Sequence, residues 1–336
     1  LAYEVTGTAQ LADNFQALQR WQYPDRFSSW WPFKRRNPII PDLVSLGDAW
    51  LGAAVAQDLL VPLDPDAWPQ WQQLPGPWRS IVQRNSQGLV DTQGSVWAAP
   101  YRWGTTVIAY RHQPFRALGW EPTDWGDLWK PELQGKISLP DQPREVLGLT
   151  LKHLGYSYNT KDLNQVPDLA PTLEQLHRQV KLYSSDYYLQ PLFLEDTWLA
   201  VGWSTDLLPL LPYDRDLRLV VPKSGTALWA DLWVRPQNAE ANHRTWTDDW
   251  INFFWQPDVA LKLTQLSNAT SPLPLEPPGN GQSGQILQAK APTEILFPNP
   301  STITQSEFIQ PLDPATTQTY WQFWQQMRQE PNPKVS

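Results

Sequence analysis

The sequence predicts an α/β protein built on largely parallel sheets. Short apolar or alternating runs of strand length recur along 336 residues, stretches of helical period separate them, and proline clusters punctuate the joins. The strand runs, in order, are 42–47 (DLVSLG), 103–110 (WGTTVIAY), 199–203 (LAVGW), 217–221 (LRLVV) and 227–234 (ALWADLWV). Helical spacing places Leu147, Leu151 and Leu154 on one face after Glu145. Trp246, Trp250, Ile251, Phe254 and Trp255 form a broad apolar face, and Tyr320, Phe323, Trp324 and Met327 repeat it near the end. Many of the 34 prolines fall between these segments, notably at 272–278 (PLPLEPP) and 297–300 (FPNP), and mark connections.

Composition narrows the function classes. Hydrophobic residues make up 41% and charged residues 18%, enough for sizeable cores and, at this length, for two domains. No apolar run reaches the roughly 18 residues of a membrane span. The opening LAYEVTGTAQ lacks the layout of a signal peptide, so any targeting segment is expected to have been removed. With no cysteine there is no disulfide, thiolate nucleophile or Cys-based metal site. A formal charge of −8 argues against a sequence-independent grip on nucleic acid and suits a neutral or cationic ligand. The 21 tryptophans exceed what a core needs, so some of the rings are expected to face a ligand.

Within 227–234 the side chains alternate. Leu228, Ala230, Leu232 and Val234 share one face, and Trp229, Asp231 and Trp233 share the other. A carboxylate between two indoles is a natural receptor for an ammonium group, because a cation gains from the ring face and a charge-assisted hydrogen bond from the acid. Equally, the two rings belong to a core and Asp231 to an edge.

Other motifs carry less. Gly279, Gly281 and Gly284 spell G-x-G-x-x-G, but they follow a proline pair instead of a strand and read as a linker. His112, His153, His177 and His243 are scattered and read as surface or helix-face residues. Tyr187 and Tyr188 have the adjacent-phenol pattern that suits ferric iron, and also the pattern of packing residues. Glu145 and Asp231 are the carboxylate pair that a glycosidase would require.

From residue 42 onward the order of segments resembles the spermidine/putrescine-binding periplasmic proteins of ABC transporters. The resemblance runs through 98–107 (AAPYRWGTTV), 124–135 (DWGDLWKPELQG), 137–156 (ISLPDQPREVLGLTLKHLGY), 199–205 (LAVGWST), 221–234 (VPKSGTALWADLWV) and 249–259 (DWINFFWQPDV). It implies a two-lobed type II periplasmic-binding-protein fold with two mixed α/β domains joined by crossover strands. Lobe one would comprise 1–103 plus 231–272, and lobe two 104–230 plus 273–336. The function implied is extracytoplasmic: a monomer captures a polyamine or related cationic solute in an interdomain cleft and delivers it to a membrane permease. Neither catalysis nor a cofactor is implied. A neutral ligand such as a sugar is the alternative, with ferric iron and a glycoside-cleaving enzyme behind it.

By motif position Glu145, Trp203, Trp229 and Asp231 match ligand-contacting positions of that family, with Ser185 and Gln310 as weaker matches. Gln142 stands where the family commonly has an acid, and Ala269 where it often has a tyrosine. LAYEVTGTAQ aligns with the family's second strand, which leaves the first without a counterpart. The segment 21–38 is longer than the family's usual connection. Its Trp30, Trp31, Phe33, Lys34, Arg35 and Arg36 fit an anionic membrane surface or a partner protein, or else a loop folded onto its own lobe.

Overall fold

The computed structural model describes residues 3–8, 10–23, 39–273 and 292–329. The 279–284 glycines and residues 24–38, with Trp30, Trp31, Phe33, Lys34, Arg35 and Arg36, lie outside them, while Trp21 and Gln22 close the helix Leu11–Gln22. The chain forms two compact units. One comprises Leu1–Trp103, Ala230–Thr264 and Ser271–Leu275, and the other Gly104–Trp229, Gln265–Thr270 and Glu276–Ser336. Two long strands, Ala99–Arg111 and Ala227–Pro236, contribute residues to both units.

In the first unit, strand Val44–Gly47 pairs antiparallel with the end of Ala227–Pro236, with Ser45 opposite Trp233 and Gly47 opposite Asp231. Helix Asp48–Ala56 follows without a break, which sets Asp48 beside that strand. Leu46, Leu51, Ala54, Leu232, Val234, Ile251 and Trp255 are fully buried and make up the centre of its core. Helix Arg244–Phe254 turns Thr247 and Ile251 inward, and of the expected apolar face Trp255 is buried just beyond its end, Trp250 and Phe254 are half-buried and Trp246 is 42% exposed.

In the second unit, strands Ile137–Leu139, Val180–Tyr183 and Leu199–Trp203 run parallel, with Ile137–Leu139 between the other two. Helices Pro143–His153 and Leu169–Gln179 connect Ile137–Leu139 to Val180–Tyr183 and, with helix Pro314–Gln329, pack Leu147, Leu151, Leu173, Leu176, Tyr320 and Trp324 into one core cluster.

The expectation of largely parallel sheets needs correction. Residues 106–110 pair antiparallel with Leu199–Trp203, and residues 108–111 do so with Leu217–Val220. The sheet is mixed because side chains alternate identically in parallel and antiparallel pairs, so the sequence pattern carries no record of direction. Strand Leu199–Trp203 has the predicted bounds, whereas the 103–110 run extends to Ala99–Arg111.

Tryptophan ties distant parts of each unit together. In the first, the indole N–H groups of Trp68, Trp103 and Trp255 donate to Asp248 (2.9 Å), the Ser271 carbonyl (2.9 Å) and the Pro100 carbonyl (2.8 Å). In the second, Trp125 and Trp129 donate to the carbonyls of Gly225 and Thr172, both at 2.9 Å. No helix among the described residues is long and apolar enough to cross a membrane.

Candidate functional site

The three parallel strands of the second unit end at one edge, and the chain places polar and aromatic groups immediately beyond each end. After Leu139 come Gln142 and the helix Pro143–His153; after Tyr183 comes the turn with Ser185; Trp203 is the last residue of its strand. This carboxyl edge is where open α/β sheets offer unpaired backbone and convergent side chains to ligands.

Gln142 is the N-cap of that helix in extended conformation, Pro143 follows at the first helical position, and Glu145 lies in the first turn. A carboxylate there is favoured by the helix dipole, and proline costs nothing where the N–H has no helical partner. Glu145 is nonetheless buried, at 6% exposure. The Thr106 hydroxyl donates to it at 3.3 Å from Oε2 and 3.4 Å from Oε1. Burial pushes its carboxyl up from 4.5 to about 7, against the opposing pull of the Thr106 and Trp203 hydrogen bonds and the Arg144 charge. Arg144 is turned elsewhere: its guanidinium donates to the Gln310 carbonyl (2.9 Å) and the Asn159 side chain (3.1 Å).

Thr106 is the register partner of Trp203, so Glu145 and Trp203 meet across the 104–106 segment. Trp229 reaches the same segment, and a Cβ at Gly104 would fall 2.2 Å from its Cζ2. Its indole Nε1 is buried and makes no hydrogen bond. The Tyr188 ring packs edge-on to Trp203 at 6.0 Å, close against Gly202, and its hydroxyl donates to Asp206 at 2.7 Å.

Among the expected contact residues of this unit, Glu145, Trp203 and Trp229 gather around residues 104–106. Gln142 and Ser185 stand half-buried on neighbouring loops of the edge. The Gln310 side chain is exposed, and its backbone is taken by Arg144 and Asn159. The ferric pattern is not supported: Tyr188 is buried at 3% with its hydroxyl on Asp206, while Tyr187 is 65% exposed. No cluster of His, Cys, Asp and Glu suited to a metal occurs among the described residues.

Asp231 belongs to the first unit. It is 4% exposed, and the Arg102 Nε donates to its Oδ2 at 2.6 Å. Tyr101 stacks on Trp233 at 4.4 Å, and its hydroxyl shares a 2.8 Å hydrogen bond with Ser45. Asp48 accepts the Ala230 N–H at 3.2 Å, and burial pushes its carboxyl from 3.8 to about 7. Along 227–234, Leu228, Ala230, Leu232 and Val234 are buried as predicted; on the other face Trp229 and Trp233 are half-buried and Asp231 is buried.

Sequence reasoning missed Arg102, Thr106, Asp48 and Arg84. A signal existed for Arg102, the single cation in AAPYRWGTTVIAY, because a charge in an apolar strand requires a partner. The identity of that partner, 129 residues on, was beyond any local pattern.

The family model described as bacterial extracellular solute-binding protein matches residues 39–299. The spermidine/putrescine-binding periplasmic protein of Salmonella typhimurium is 28% identical over 236 residues, covering 69% of this chain and 64% of that protein. The putrescine-binding periplasmic protein PotF of Escherichia coli is 25% identical over 238 residues, covering 66% and 62%. The match thus spans a little under two thirds of these relatives' length. Among solved structures, the spermidine/putrescine ABC transporter substrate-binding protein PotD of Streptococcus pneumoniae superposes with a TM-score of 0.73 at 22% identity. It covers 96% of this chain and 88% of its own.

Proposed function

This chain belongs to the bacterial extracellular solute-binding proteins, and from that premise we propose that it captures an aliphatic amine, of the polyamine class or a related cationic solute, for delivery to an ABC transporter permease. Its family consists of binding components of transporters, not enzymes, and its relatives are named for spermidine and putrescine. The observation that carries the ligand class is Glu145 at the carboxyl edge, a buried acid with two tryptophans gathered on the same short segment. An ammonium at Glu145 would supply the counter-charge that the desolvated carboxylate lacks, and indole faces would cover the methylenes. Asp231, in the first unit, is the second carboxylate of the proposed set, and the ligand is taken in the interdomain cleft that the family resemblance implies.

A thermal-shift titration tests this reading, since a ligand bound only by the folded state stabilises as RT ln(1 + [L]/Kd). Simple alkylamines, among them spermidine, putrescine and 4-aminobutan-1-ol, are expected to raise Tm with concentration, and glucose and ferric citrate are not. A response to the sugar alone overturns the amine reading.

A further inference from the structure

The strand Leu199–Trp203 ends between two acids of its own unit. Trp203 and its register partner Thr106 share one face of the sheet, and there the Thr106 hydroxyl reaches the Glu145 carboxylate at 3.3 Å. Gly202 turns to the other face, because neighbouring residues of a strand point to opposite sides. Its bare backbone seats the Tyr188 ring: a Cβ at Gly202 would fall 2.1 Å from Cε2 and 2.5 Å from the hydroxyl oxygen. That hydroxyl donates to Asp206 Oδ2 at 2.7 Å, and it feels the charges of both Asp206 and Glu145.

The surroundings of Asp206 leave its charge available. It is exposed, and no cation among the described residues offsets it; its bond comes from a neutral phenol that occupies only Oδ2. Tyr188 is itself 3% exposed and wedged against Gly202, so it fixes the carboxylate in place without neutralising it. Between the two acids stand the half-buried Trp203 indole and the Tyr188 ring, set edge-on at 87°. Such a ring wall suits methylenes, and a carboxylate at either end suits ammonium groups. Gln142, at the start of the Glu145 helix, supplies no second charge there.

We infer that Asp206 is a specificity residue of the amine site: the ligand carries a second ammonium group beyond Trp203 from Glu145, and Asp206 receives it. This rests on the amine reading above, with one ammonium at Glu145, and narrows it to ligands of two or more positive charges. Both charged groups are then held by a single unit, along the edge where strand Leu199–Trp203 ends. Tyr188 is a positioning residue, acting through the carboxylate that it holds.

Calorimetric titration of the full chain with putrescine, spermidine and 4-aminobutan-1-ol tests it, since the amino alcohol replaces one ammonium of putrescine by a hydroxyl. The parent is expected to bind the tighter of the two polyamines about tenfold or more better than the amino alcohol, the scale of one charged hydrogen bond. Asp206→Asn is expected to bring that preference below about threefold while leaving the affinity for the amino alcohol within about twofold of the parent's. Asp206→Glu, which keeps the charge, is expected to retain the preference, and Tyr188→Phe to lower it less than Asp206→Asn does. Asp206→Ser takes the place of Asp206→Asn if that variant fails to fold. An equal loss for all three probes in Asp206→Asn would make Asp206 a structural partner of Tyr188 and overturns the inference. So does an unchanged preference in the folded variant, or a parent that binds the amino alcohol as tightly as both polyamines. In each of these cases the amine reading stands, whereas a parent that binds none of the three ends both.

Discussion

The Trp229 ring lies directly against the backbone of Gly104: a Cβ there would come within 2.2 Å of Cζ2 and 2.6 Å of the Ser204 Oγ. Gly104→Ala is therefore expected to push the ring off its seat. The cost of such overpacking is about 1–3 kcal/mol in stability, measured by chemical denaturation. Ligand affinity should fall with it, and a saturable ligand-dependent change in tryptophan fluorescence, expected to be diminished in Trp229→Phe, should be diminished in Gly104→Ala as well. An unaltered fluorescence response would detach Trp229 from the site.

Glu145 makes stability and binding respond to pH in opposite directions. Its folded-state pKa is raised from 4.5 to about 7, and that of Asp48 from 3.8 to about 7. Across roughly pH 4 to 7 the folded chain retains protons that the unfolded chain has released, so stability falls as pH rises through that window. Glu145→Gln is expected to flatten part of this slope in denaturation curves. Binding of an ammonium requires the ionised acid, so affinity should rise with pH up to about 7. Proton release should appear as a dependence of calorimetric heat on the buffer's ionisation enthalpy. A binding heat independent of buffer at pH 6 would place the ammonium elsewhere.

Asp231→Asn removes the partner of Arg102 and is expected to destabilise the fold by about 1–3 kcal/mol, the cost of leaving a charged group unsatisfied. Asp231→Asn combined with Arg102→Gln should cost less than the two single changes summed, with a coupling energy of about 0.5–3 kcal/mol in a double-mutant cycle. Strict additivity would mean that the 2.6 Å contact carries no stability.

Gln142 occupies the N-cap without making a side-chain capping bond. Gln142→Asp supplies an acceptor of the kind that N-caps favour and is expected to raise stability by about 0.5–2 kcal/mol. It also places a second carboxylate near Glu145, so spermidine should bind about 1–3 kcal/mol tighter than to the parent, with a steeper loss in salt. Titrations at two ionic strengths read both effects.

Legibility in the sequence followed the range of the interactions concerned. The strand at 199–203 and the helix after Glu145 were readable because period and punctuation are local properties. The alternation at 227–234 likewise told that Leu228, Ala230, Leu232 and Val234 share a buried face, although it gave no sign that Asp231 on the other face would be buried too. Strand direction was not readable, since the pairing of 106–110 with Leu199–Trp203 depends on a chain reversal that leaves no trace in side-chain order. The partner of Asp231 was not readable for a related reason. An aspartate between two tryptophans looks vacant until its guanidinium partner is placed, and Arg102 comes from a strand more than a hundred residues earlier.

The indole bonds to distant carbonyls give this cysteine-free chain its long-range fasteners. Trp103 and Trp255 join segments 168 and 155 residues apart, and Trp125 spans 100. A disulfide at such separations would answer to the thiol balance of its surroundings, whereas a ring N–H donating to a carbonyl has no redox couple. The fold is accordingly indifferent to reductants and exposed to a different hazard, photochemical or peroxide damage that opens the indole ring and removes the donor from its carbonyl.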